Sequence, residues 1–205
     1  MTDRAIDSSG STVSACADEG RRRRELTSSL YAAVADGEPK DGYEGWYRAS
    51  LAESLLQRAL IIEHQEWRRH VEDLVRDALP QTGETADWWD EAAAGAEGAD
   101  YVARVRWVST ERFDWPVPDE VWRRLEELSL LAEALTDSTR AARAALKQRQ
   151  PEYFSPLDPF GEGDGSGRLE VTLESAHDLM RACESFWTSL AGTAGDAAAS
   201  GEGEG

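Results

Sequence analysis

Three histidines, two cysteines and a surplus of carboxylates are the side chains of this 205-residue chain whose types could do chemistry. His64, His70 and His177 titrate near neutrality, so they come first as acid, base or metal ligand. His64 falls between Leu60 and Trp67 on an apolar stripe of helical spacing, the place of a core or interface histidine. His70 stands four residues after Glu66 and three before Asp73, and His177 stands three after Glu174. Such spacings set both partners on one helix face. Glu66, His70 and His177 could hold a zinc ion if their helices were neighbours. Glu–His pairs at these spacings also arise by chance in so acidic a chain, and the expectation is no metal and no cofactor. Cys16 and Cys183 form no Cys-x-x-Cys motif and read as two unreactive thiols of a reducing cytoplasm.

Arg58 and His64, in the segment RALIIEH, resemble the Arg-x(4–6)-His motif of HEPN ribonucleases, which are also helical bundles. The resemblance implies that Arg58 binds phosphate and that His64 serves as acid or base. Ala59 stands where that family usually has a polar residue. The pair also lies inside a long helix, where six residues turn about 600° and leave the two side chains on different faces. Glu174 and His177 resemble half of the di-iron carboxylate motif of four-helix bundles. The second half is missing, because Glu66 and His70 have the wrong spacing. GEGDGSG (161–167) has the composition of a calcium loop but not its acidic pattern, and it lacks the Lys-Ser/Thr ending of a phosphate-binding loop. No catalytic residue is assigned.

Forty acidic residues face 22 basic ones, for a net charge of −18. That field opposes nucleic-acid phosphates and anionic lipid, and favours basic partners, cations or brine. Only Lys40 and Lys147 are lysines; the other basic residues are Arg. A salt-adapted cytoplasm explains both the acid excess and the scarcity of Lys, since at molar salt the Debye length falls to about 3 Å. A GC-rich genome is the alternative. The run Arg21–Arg24 is too isolated for a nucleic-acid patch and is expected to pair with carboxylates of the same chain. No stretch reaches the ~18 apolar residues of a membrane span, and no apolar run follows the N-terminal charges.

The elements that must position these groups read as mainly α. Residues 1–18 are polar and aperiodic, a disordered N-terminal tail, and 192–205 are a disordered acidic C-terminal tail. Between them, 19–191 form one helical-bundle domain. A first helix spans about 19–35 and a second about 43–79, with a stripe at Leu60, His64, Trp67, Val71, Leu74 and Ala78. Leu51, Leu55, Leu56, Ala59 and Ile62 widen the apolar face of its first half, as in a helix packed by several neighbours. Residues 81–100 are an acidic loop. Residues 101–109 alternate Tyr101, Ala103, Val105 and Trp107 with Arg104 and Arg106, a half-buried strand pattern. A third helix spans about 119–150 with a seam from Val121 through Leu125, Leu128, Ala132 and Leu135 to Leu146. A second strand at 168–174 precedes a last helix capped by Ser175, with a stripe at Ala176, Leu179, Met180, Cys183, Trp187 and Leu190.

The expected architecture is therefore a four-helix-bundle-like domain with two long helices and a small two-stranded β ribbon. The expected function is that of a non-enzymatic interaction or accessory protein of a salt-adapted cytoplasm, docking a protein partner or itself through helix seams. Trp88, Trp89 and Trp115, on irregular acidic or Pro-flanked segments, are the expected partner anchors. A small helical hydrolase (HEPN-like or metal-dependent) and an acidic mimic of nucleic acid are the alternatives.

Overall fold

The structure, a computed structural model, describes residues 3–35, 42–82, 92, 100–137, 140–155 and 168–200. Among these, the helices are α1 (Asp3–Ala35), α2 (Tyr43–Thr82), α3 (Tyr101–Val108), α4 (Asp119–Thr136), α5 (Arg140–Arg149) and α6 (Leu173–Ser200). A two-stranded antiparallel ribbon joins β1 (Phe154–Ser155) to β2 (Arg168–Leu169), with Phe154 opposite Leu169.

Helices α1, α2, α4 and α6 form a four-helix bundle. Arg24 meets Glu184 while Ser28 meets His177, so α1 runs against α6. Trp67 and His70 meet Phe186 and Trp187, so α2 and α6 run the same way. Trp122 reaches Phe186 at one end of α4, and Leu135 lies beside Gln57 at the other, so α4 runs against α2. The chain thus passes up and down with antiparallel neighbours, as short connections favour. Phe186 is the centre of the core. Trp67, Trp115, Trp122 and Trp187 present their rings edge-on to it at centroid distances of 5.5, 6.1, 5.6 and 4.9 Å. Each such pair contributes about 0.5–1.5 kcal/mol beyond burial. The α6 stripe from Ala176 to Leu190 and the α4 positions Val121, Leu125, Leu128 and Ala132 are buried where the periodicity put them.

Several expectations are corrected. The segment 1–18 is not a tail: α1 begins at Asp3, and Val13, Cys16 and Ala17 are buried against the bundle. Their spacing of three, one and four is a helix face that the Ser, Thr and Asp content concealed. Likewise α6 continues through residues 192–200, read as tail, to Ser200; residues 201–205 lie outside the described residues. The segment 101–109 is helix, not strand. The Asp100 carboxylate caps it by accepting from the Ala103 N–H at 2.7 Å, and its buried residues Tyr101, Val102, Val105 and Val108 have helical spacing. The ribbon consequently pairs 168–169 with 154–155, not with 101–109. A π-helical turn (Ser109–Phe113) ends α3, and Asp114 turns the chain at φ 49°.

The third helix is two helices, α4 and α5, because Asp137 leaves the helical region at φ −100°, ψ 97°. The run Thr136-Asp137-Ser138-Thr139 offers side-chain hydrogen bonds that compete with the backbone ladder. Finally, α6 starts two residues before Ser175. Thr172 and Ser175 form a reciprocal capping box, each accepting from the other's N–H at 3.1 Å.

Candidate functional site

The titratable groups are scattered by the fold rather than gathered. His64 is buried, its ring stacked 6.4 Å from Trp67, with Nε2 unpartnered. Burial, helped by the nearby Arg68 charge, lowers its pKa to about 4. Arg58 is exposed and lies about 120° around α2 from the buried His64, so the structure does not join the two. His70 packs edge-on to Trp187, and Glu66 is paired with Arg69. His177 bonds Ser28 at 2.8 Å, and burial next to Arg24 lowers its pKa. Since His177 and Trp187 are ten residues apart on α6, the two histidines stand about 15 Å apart along the bundle. Among the described residues no three His, Cys, Asp or Glu side chains are placed to hold a metal ion.

A buried polar cluster ties α1 to its neighbours. Glu63 is almost wholly enclosed and accepts from Arg23 Nε at 2.7 Å and Nη2 at 3.3 Å. Arg23 Nη1 lies 2.8 Å from Glu19 without hydrogen-bond alignment. Arg24 grips Glu184 in the same two-pronged way at 2.8 and 3.1 Å, and Arg21 pairs with Asp18. The arginine run therefore serves intramolecular pairs. Burial pushes the Glu63 carboxyl up, and Arg23 pulls it back only in part. Burial also raises both thiols, Cys183 strongly, which disfavours the thiolate form. Elsewhere Glu127, also buried, accepts from Tyr153 Oη at 2.7 Å and Arg124 at 2.8 Å. Apart from Arg23 Nη1, these groups are partnered within the fold, which is the pattern of structural polar clusters.

The outside of the bundle is less ordinary. The exposed large apolar residues of the described chain all lie on one surface, made by the C-terminal half of α1 and the N-terminal half of α2. They are Leu26 and Leu30 on α1, and Tyr43, Trp46, Tyr47, Leu51 and Ile62 on α2. Tyr43 is 77% exposed and Trp46 54%, while the Tyr43 ring stacks on Tyr47 at 6.3 Å. A groove of about 630 Å³ runs between the helices, floored by Met180 and walled by Leu26, Leu30, Leu51, Leu55 and Ile62. Arg23 and Arg58 line it; no acid does.

At about 100° per residue, Tyr43, Tyr47, Leu51, Leu55, Arg58 and Ile62 fall within an arc of about 120°. Ala52, Leu56, Leu60, Trp67 and Val71 occupy the other side of α2 and are buried. The first half of α2 therefore carries two apolar faces, and the molecule covers one. Past Ile62 the outer arc turns polar: Gln65, Arg69, Glu72, Asp73 and Arg76.

Of the expected anchors, Trp88 and Trp89 lie outside the described residues. Trp115 is half-buried, its ring stacked on Phe113 at 5.0 Å and edge-on to Phe186. The sequence reading missed the aromatics of 43–47, although the widened face from Leu51 to Ile62 pointed towards them. Comparison with protein-family models, with curated proteins and with solved structures found no match.

Proposed function

We propose that this protein works by docking another polypeptide: a helical-bundle interaction or accessory protein whose contact surface is the α1–α2 groove. The observation that carries this reading is the confinement of the exposed large apolar residues to that one surface, with three aromatics at its end. Contiguous apolar patches of this kind mark interaction sites, and exposed Trp and Tyr are the side chains that most often anchor them. The enclosed histidine, the protonated thiols and the paired carboxylates leave the polar groups to the fold.

No helix among the described residues is long and apolar enough to cross a membrane. Two free, buried cysteines and the surplus of acid over base support a place in the reducing cytoplasm of a salt-adapted cell.

Photo-crosslinking in the cells that make the protein tests the reading. A benzophenone side chain replacing Tyr47 should give a discrete polypeptide adduct that the pair Trp46→Ser, Leu51→Ser abolishes. The same probe at Arg76, on the charged half of the same helix arc, should give none. Equal labelling at both positions, or no adduct from Tyr47, would refute docking at this surface.

A further inference from the structure

The groove also specifies what fills it, taking the docking reading as given. Its lining on α2 runs from Leu51 to Ile62, about 17 Å at 1.5 Å per residue, and the exposed apolar arc continues along the helix to Tyr43, about 28 Å or some five turns in all. That length exceeds what a small molecule occupies, and the half-exposed walls would leave such a ligand open to water, whereas ligand pockets enclose most of theirs. Ridges spaced by four and three along α2, with Leu26 and Leu30 four apart on α1, are the surface into which a third helix packs.

Charge narrows the choice further. In a chain with 40 acids and 22 bases, the groove lining holds two arginines and no carboxylate. Arg23 is committed to Glu63, but Arg58 makes no ion pair or hydrogen bond with any described residue. It stands near the middle of the stripe's arc, on the ridge between this groove and a second one lined by Gln57, Ile61, Ile62 and Leu135. The acids on this stretch of α2 are occupied: Glu44 by Arg48, Glu53 by Arg168 and Glu63 by Arg23. A second copy of this chain fits poorly, because the same groove on it would bring two further arginines and no carboxylate against Arg58. We infer that the groove receives an amphipathic helix of a different protein, about five turns long, which lays an apolar stripe between α1 and α2 and sets one Asp or Glu against Arg58.

The test maps the Tyr47 adduct by peptide sequencing and then reverses charges. The labelled segment should show apolar residues at helical spacing over roughly 18–20 positions, with one carboxylate at the level of Arg58. Arg58→Glu, whose exposed site leaves folding intact (checked by its thermal melt), should weaken the purified complex about ten-fold or more. Arg58→Lys should weaken it less, and changing the partner's mapped acid to Arg should restore binding to Arg58→Glu. An adduct with a second copy of this chain, a labelled segment without helical spacing, or an Arg58→Glu protein that binds as tightly as the parent each overturns the inference while leaving docking at this surface in place. Absence of any Tyr47 adduct overturns both.

Discussion

His64 shows how a residue fit for catalysis becomes part of a core. Enclosed beside Trp67, its imidazole is held neutral, with a pKa lowered to about 4. A lowered folded-state value means that protonation favours the unfolded chain. Stability is therefore full above the unfolded value near 6.5 and is lost as pH falls through the window from 6.5 to 4. At pH 5 the difference of about 1.5 units amounts to roughly 2 kcal/mol. Urea unfolding at pH 7 and pH 5 should show the parent losing about 2 kcal/mol more than His64→Leu over that interval. If the variant keeps the whole pH slope, other groups cause it and His64 is not the acid-labile point. The neutral, enclosed state of His64 and the outward Arg58 also explain why a two-residue resemblance to a ribonuclease motif does not assemble a site: the six-residue spacing sets the two side chains about 120° apart, on different faces.

At the scale of elements, the legible parts were those where one apolar stripe met one core. The α6 stripe is buried at the positions its periodicity named, and so is that of α4 at Val121, Leu125, Leu128 and Ala132, with Leu135 only partly covered. Three of the misreadings have a local physical reason. In 101–109 the alternation of Val and Arg imitates a strand, yet Tyr101, Val102, Val105 and Val108 make an equally good helix face, and the Asp100 cap decides between them. Between α4 and α5 the heptads run on past a break at Asp137, whose backbone leaves the helical region. In α1, polar residues outnumber apolar ones until residue 26, so the small buried set Val13, Cys16 and Ala17 looked like tail.

The docking surface was half legible. The excess width of the apolar face on α2 was visible, but only the packed bundle shows which half stays uncovered. The α1 correction has a measurable consequence. Deleting residues 1–18 should cost about 3–4 kcal/mol of unfolding free energy, from uncovering the bundle where Val13, Cys16 and Ala17 now lie. Denaturant unfolding of the shortened protein measures it directly, and an unchanged midpoint would restore the tail reading.

For the whole molecule, the question is what a net charge of −18 does to a bundle this size. Two electrostatic effects oppose each other as salt rises. Exposed ion pairs such as Arg76–Asp73 and Arg123–Glu120, both at i,i+3 spacing, weaken with screening, but each is worth only a fraction of a kcal/mol. The long-range repulsion among unpaired carboxylates also weakens, and with 40 acids against 22 bases it involves far more charge than the pairs do. Screening acts most steeply while the Debye length shrinks from about 10 Å at 0.1 M to about 3 Å at 1 M. The part-buried pairs, Arg23–Glu63 and Arg124–Glu127, are less open to solvent and change less.

Repulsion therefore wins, and the melting temperature should climb from 0.1 M to 2 M KCl, most steeply in the first molar. A melting curve that is flat or falls with salt would show that the local pairs outweigh the net charge, and would remove salt adaptation as the reason for the acid surplus. The complex with the partner helix should respond in two parts: the apolar contact persists in brine, while the Arg58 contribution shrinks. The affinity difference between the parent and Arg58→Glu should accordingly be largest at 0.1 M KCl and narrow towards 2 M, a pattern that a purely structural role for Arg58 does not produce.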